Sequence, residues 1–186
     1  MSQKKNSSSL NPAGRDSSRP LVGIVMGSDT DLPVMADTAR TLERFGVPYE
    51  LEITSAHRSP LRTQEYAQAA RQRGLRAIIV GAGGASHLAG IIAAETTLPV
   101  VGVPIASTPL AGMDALLSTV QMPGGVPVAV MAIGKAGAVN AAIFAAEIIA
   151  LSDSPLGERL RRYKEELERS VAEKAEKVKK EFKNPA

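Results

Sequence analysis

The stretch Leu21-Val22-Gly23-Ile24-Val25-Met26-Gly27-Ser28-Asp29 decides the fold. A short apolar, β-branched run that breaks abruptly into small polar residues reads as a strand buried on both faces and ending in a turn. Residues 31–45 then carry apolar side chains at helical spacing, with Asp31 able to cap the helix and Pro33 in its first turn. Gly46 closes that helix. The cycle repeats along the chain. Strands are expected at 49–53, 76–80, 99–103 and 126–133, with helices at 60–73, 86–95 and 112–121. The Ala-rich segment 137–151 is apolar on almost every face and is expected to be buried all round. Strands alternating with helices argue for an α/β fold, a parallel sheet covered by helices on both sides. Ligands of such sheets bind beyond the carboxyl ends of the strands, so the loops that follow strands carry the functional information.

Composition narrows what those loops can do. The 186 residues are 44% hydrophobic and 22% charged, ordinary for a single globular domain. There is no cysteine, which excludes disulfides, thiolate metal sites and thiol nucleophiles. Tryptophan is absent and aromatics are 3%, which argues against stacking platforms for single-stranded nucleic acid. The net charge of +3 divides unevenly: residues 1–20 carry +3, residues 153–186 carry +2, and residues 21–152 carry −2. The basic excess belongs to the ends, and a nucleic-acid partner is not expected. No apolar run of about 18 residues occurs, so no membrane span is expected, and the cytoplasm is the default compartment.

These shifts divide the chain into three parts. Residues 1–20 are Ser-rich and unpatterned, read as a disordered N-terminal tail. Residues 21–152 are expected to form the α/β domain, and 153–186 a charged C-terminal helix and tail. In that last part, Leu156, Leu160, Tyr163, Leu167 and Val171 line a narrow apolar stripe on a long amphipathic helix. The stripe could pack on its own domain or on a neighbouring subunit, and the subunit contact is favoured.

Three post-strand loops hold unusual residues. Gly27-Ser28-Asp29-Thr30-Asp31 can offer backbone amides and hydroxyls to an anion, or can simply cap a helix. It lacks the Lys-Ser/Thr ending of a Walker loop. Ser55-Ala56-His57-Arg58-Ser59-Pro60 joins a proton carrier to a side chain that binds phosphate or carboxylate in a bidentate manner. Gly81-Ala82-Gly83-Gly84-Ala85-Ser86-His87 is glycine-rich enough for close approach of a ligand to the backbone, or for tight helix–strand packing. The spacing of a dinucleotide fingerprint is not met. The two histidines lack metal-ligand spacing and a third ligand, so no metal is expected. Without a G-x-S-x-G elbow, a Ser-His-Asp hydrolase is not expected either. Together the loops gather both histidines, a Ser–Asp pair and a glycine nest at one edge of one sheet.

Those residues carry a resemblance. Ser28-x-x-Asp31, Ser55-Ala56-His57-Arg58-x-Pro60 and Gly81-Ala82-Gly83-Gly84-Ala85-x-His87-Leu88 resemble the class I phosphoribosylaminoimidazole carboxylase catalytic subunits, the 5-(carboxyamino)imidazole ribonucleotide mutases of purine biosynthesis. The likeness continues through Gly102-Val103-Pro104, Ser107, Leu110-x-Gly112-x-Asp114, Val120-Gln121-Met122-Pro123, Ala132-Ile133-Gly134 and Asn140-Ala141-Ala142. It covers residues 21–151 in order.

The resemblance implies a three-layer flavodoxin-like (Rossmann-like) sandwich, a homo-octamer with sites near subunit contacts, a ribonucleotide substrate, and no metal or cofactor. It implies that His57 transfers the proton, with His87 lining the same site. Ser28, Asp31 and Arg58 are then expected to hold ribose and phosphate, and Ser55, Ala56 and Ser107 to complete the substrate site. Ala82, Gly83, Gly84, Ala85 and Leu88 are expected to close over the imidazole and its migrating carboxylate. Class II relatives, which carboxylate aminoimidazole ribonucleotide with free carbon dioxide, tend to carry lysine after the histidine, so Arg58 with Pro60 favours the mutase. Three departures stand out. Thr30 replaces a serine, Ser86-His87-Leu88-Ala89-Gly90-Ile91 replaces Ala-His-Leu-Pro-Gly-Met, and Val130 stands where threonine is common. Loss of the proline at position 89 is expected to loosen the loop.

Overall fold

A computed structural model describes residues 19–182. Its element order alternates as the sequence pattern does: β1 (Val22–Met26), α1 (Leu32–Arg44), β2 (Tyr49–Ile53), α2 (Pro60–Arg73), β3 (Ala77–Gly83), α3 (Leu88–Glu95), β4 (Val100–Ile105), α4 (Met113–Val120), β5 (Ala129–Val130), α5 (Lys135–Ala150) and α6 (Ser154–Phe182). All strand pairs are parallel, in the order β2-β1-β3-β4-β5. That is the doubly wound flavodoxin-like order, in which the chain reverses its direction of travel across the sheet between β1 and β3. A crevice opens at such a reversal, because the loops after those two strands part to opposite sides.

The central strands are apolar because both faces are covered. All five residues of β1 and all six of β4 are buried. On one face Met35, Leu42, Ala141, Ala145 and Ile149 of α1 and α5 pack against Ile24, Ile79 and Val101. On the other, Ala67, Ala70, Leu88 and Ile92 of α2 and α3 pack against Val25, Ile78 and Val80. Each large side chain buried in this way contributes about 1.5–3 kcal/mol relative to exposure. One glycine is required sterically: a Cβ on Gly137 would lie 1.6 Å from the Ala132 carbonyl oxygen, where α5 begins against the chain leaving β5.

Three expectations need correction. The fifth strand, expected over 126–133, is reduced to Ala129–Val130, paired with Val101 and Gly102. Pro127 has no N–H for a ladder and Val126 is drawn into a turn on Pro123, so only the end of the run reaches the sheet. α5 is buried on one face only: Ala138, Ala142 and Ala146 are in the core, whereas Asn140 and Phe144 are exposed. Apolar residues run all round the helix, but its own domain covers only one face of it. Nor does the C-terminal stripe leave its own domain at the start. Leu156 and Leu160 are buried in the α1–α5 core, and Tyr163 meets Phe45 edge to face at 5.3 Å. The Arg44 guanidinium covers the Tyr163 ring, and Arg159 Nε donates to the Phe45 carbonyl at 3.0 Å. Only the farther residues, Leu167 and Val171, are exposed. Of the tail expected over 1–20, all but residues 19 and 20 lie outside the described residues.

Candidate active site

The carboxyl ends of β1, β2, β3 and β4 each deliver a loop to the crevice. After β1 the chain makes a single 3-10 turn over Asp29–Asp31, and Ser28 and Asp31 form a reciprocal capping box. The Ser28 N–H donates to Asp31 Oδ2 at 3.0 Å, and the Thr30 N–H donates to Ser28 Oγ at 3.3 Å. Asp31 is 4% exposed. Burial raises its carboxyl above the usual carboxylate range, against the opposing pull of the Ser28 and Gly27 amides.

The loop after β2 is anchored from below by hydroxyls. Buried Thr54 is within 2.8 Å of Thr63 and 3.1 Å of Ser59, and Ser59 Oγ accepts the Ser55 N–H at 2.9 Å. These hydroxyl contacts leave His57 and Arg58 exposed on the outside of the turn, while Ala56 is half-buried against the core beside α2 and α3. Arg58 folds back across β1 and donates to the Gly27 carbonyl at 3.2 Å. Its guanidinium thereby joins the first loop to the second.

After β3, Gly84 takes φ +56° and Ser86 takes φ +30°, the left-handed conformations that reverse the chain before α3. The reversal turns His87 back over the crevice. His57 Nε2 and His87 Nδ1 are 2.9 Å apart, and their rings meet edge to face at 77°. Behind them the loop after β4 is fixed by Thr108 Oγ1, which donates to Asp114 Oδ2 at 2.7 Å and holds that carboxyl below the usual range. Ser107 lies so close to Gly83 that a Cβ there would sit 1.9 Å from its Oγ.

These loops enclose a cavity of about 320 Å³. Such a volume falls in the ~300–1,000 Å³ range of small-molecule sites. Ser28, Asp31, Ser55, Ala56, His57, Arg58, Ala82, Gly83, Ala85, His87, Leu88 and Ser107 all line it, twelve positions singled out from the sequence. Gly84 does not; its part is the turn that brings Ala85 and His87 round. Gly27, Thr30 and Ser86 line the cavity without having been assigned a role, although each falls inside a loop that the sequence marks. A second hollow of about 370 Å³ adjoins it toward β2, sharing Gly27, Ser28, Ser55 and Arg58. Among the described residues no group of three or more His, Asp or Glu side chains could hold a metal ion. No described helix is long and apolar enough to cross a membrane.

The AIR carboxylase family description matches residues 21–170, spanning every loop of this site. The chain belongs to that family. An N5-carboxyaminoimidazole ribonucleotide mutase of Pyrococcus horikoshii is 57% identical over 162 residues, which are 87% of this chain and 90% of that protein. The protein of the same name from Bacillus subtilis is 52% identical over 160 residues, 86% of this chain and 99% of that one. A phosphoribosylaminoimidazole carboxylase of Candida albicans is 53% identical over 161 residues, but they make up only 28% of it. Among solved structures, Treponema denticola PurE superposes with a TM-score of 0.78 at 29% identity, covering 87% of this chain and 99% of that one. An AIR carboxylase fold therefore carries the two histidines, and the likeness to the mutases is close over nearly the whole of those proteins.

Proposed function

We propose that the chain isomerises 5-(carboxyamino)imidazole ribonucleotide to 4-carboxy-5-aminoimidazole ribonucleotide, a step of purine biosynthesis. The observation that carries this reading is the His57–His87 pair set over a small-molecule cavity, in a chain at least 52% identical to mutases over most of its length. The exocyclic N–C bond breaks and releases carbon dioxide, while His57 protonates the departing nitrogen. The nucleophilic ring carbon then attacks the carbon dioxide. Its proton returns to His57, which restores the aromatic ring and leaves the histidine as it began. One imidazole that gives a proton and then takes one back suffices for both transfers. The glycine-loop amides of 82–85 stabilise the migrating carboxylate's charge.

Arg58 anchors the phosphate, which holds the imidazole within reach of His57 through both steps. Its position between the two adjoining hollows supports that role, since phosphate in one leaves the other for the base. Ser28 and Asp31 hold the ribose, and the carboxyl of Asp31 is suited to accept from ribose hydroxyls. The domain boundaries at residues 20 and 152, the cytoplasmic location and the homo-octamer belong to the same proposal. Support for assembly comes from α4, which exposes Met113, Leu117 and Val120 on one face, with Leu110 just before it.

The alternative is direct carboxylation of aminoimidazole ribonucleotide by free carbon dioxide. Isomerisation assayed in bicarbonate-depleted buffer separates the two. Turnover without bicarbonate is expected, and strict bicarbonate dependence would overturn the mutase reading.

A further inference from the structure

His87 follows a residue whose conformation needs explaining. Ser86 is not glycine, yet its φ is +30°, and it is only 6% exposed. Side chains avoid that region unless their surroundings over-determine it. Here they do so from three directions. The Ser86 N–H donates to the Gly83 carbonyl at 3.1 Å, Ser86 Oγ donates to the Ala82 carbonyl at 3.2 Å, and Thr119 Oγ1 donates to Ser86 Oγ at 2.8 Å. The first two bonds lie within the loop. The third comes from a different element, 33 residues away in the chain.

Thr119 sits in the last turn of α4, is 2% exposed, and lies outside the residues that line the cavity. Its oxygen is also 2.7 Å from the Ala115 carbonyl and 3.3 Å from the Ser86 carbonyl, acceptors that share with Ser86 Oγ the hydroxyl's single proton and keep the side chain at the junction of its own helix and the loop. Its methyl occupies the space beside Gly102, where a Cβ would come within 2.8 Å. The side chain thus has two separable parts, a methyl that packs on the sheet and a hydroxyl that grips Ser86. Next along the chain, His87 places Nδ1 2.9 Å from His57 Nε2.

We propose that Thr119 is a positioning residue. Its hydroxyl holds Ser86 in the left-handed conformation and so sets His87 against His57. The tether ties the loop after β3 to α4, an element that does not line the cavity. The catalytic consequence rests on the proposed proton-transfer role of the histidine pair; the geometric consequence does not.

The test uses the whole protein with three variants: Thr119→Val, which keeps the packed methyl and removes the hydroxyl, Thr119→Ser, which does the reverse, and Ser86→Ala. Thr119→Val and Ser86→Ala are each expected to lower kcat about tenfold with KM within about twofold, because misplacement of a reacting group acts on turnover. Their double variant should be no worse than either alone. Thr119→Ser should restore most of the turnover. A readout free of turnover comes from the imidazole proton resonances, since the chain has only two histidines. The His87 signals should move in Thr119→Val and stay in Thr119→Ser. Wild-type kcat with unmoved imidazole signals in Thr119→Val would overturn the proposal, as would Thr119→Ser being the more damaging change. If the wild-type chain fails to isomerise but the His87 signals move as described, the tether stands and the mutase reading falls.

Discussion

His57 and His87 arise from loops after strands that are not neighbours in the sheet, β1 lying between them, yet their Nε2 and Nδ1 atoms are 2.9 Å apart. A separation that short lets one imidazole donate to the other, a contact that orients both rings. The left-handed turn at Gly84 and Ser86 makes this contact possible, because it turns the third loop back across the end of β1.

Replacing His57 by asparagine keeps a polar group of similar reach but removes the proton carrier. Turnover is expected to fall by about 10²–10⁴, the usual share of general acid–base catalysis. The fold and nucleotide affinity should survive, as His57 is exposed and its loop is pinned by Thr54, Ser59 and Thr63. Steady-state kinetics with a calorimetric binding measurement checks both parts. Near-normal turnover would remove His57 from the mechanism.

Arg58→Ala separates binding from chemistry. Losing a charge-assisted anchor worth roughly 1.5–3 kcal/mol corresponds to a rise of about 10–100-fold in KM, with kcat much less affected. The Arg58–Gly27 bond is exposed and Gly27 lines both hollows, so no stability loss beyond the ordinary scatter of surface changes is expected. An unchanged KM would discard the phosphate role.

Buried Asp31 makes stability depend on pH. Burial, the largest cause, raises its carboxyl in the folded state above the ordinary value of 3.8. A group raised on folding stabilises the protein fully below its unfolded value and loses that contribution as pH rises through its folded one. Asp31→Asn, which can still accept the Ser28 N–H, is therefore expected to have a higher Tm than wild type at pH 7 and to converge with it near pH 3. Substrate binding should weaken in the same variant. Thermal melts across that range check the sign, and a variant less stable at pH 7 would contradict it.

Ala89 is the second residue of α3, where a backbone N–H needs no partner within the helix. Restoring proline there is expected to stabilise by about 0.4–1 kcal/mol through the unfolded chain, a gain of roughly 1–4 °C in Tm. The proline would stiffen a loop that Thr119 already holds, so kcat should change little. A loss of stability would show that the ring does not fit a site where Ala89 is only 2% exposed and packed in the core.

Much of the fold and of the site is legible in the residues alone. The apolar runs at 21–26 and 76–80 announced strands buried on both faces, and the rule that α/β ligands bind beyond strand ends singled out the three loops that line the cavity. What periodicity could not say was what covers an apolar surface. It marked Tyr163 and Leu167 alike, although Tyr163 packs on Phe45 and Leu167 is exposed. It also gave no warning that Pro127 would cut the fifth strand to two residues, because a run of valines outweighs one missing N–H in any apolar count. Gly84 was grouped with its neighbours as a ligand contact, since spacing does not reveal which glycine bears the left-handed turn. Thr119 left no local signal at all: a threonine in a helix is unremarkable until the fold brings it to Ser86.

In the proposed reaction the carboxyl group migrates within one closed site rather than through dissolved carbon dioxide. The direct measurement supplies substrate with a ¹³C-labelled carboxyl group in buffer containing unlabelled bicarbonate and follows the label by NMR during turnover. Retention of most of the label at the ring carboxylate of the product is the expected result. Product carrying mainly the unlabelled carboxyl of the buffer would contradict it.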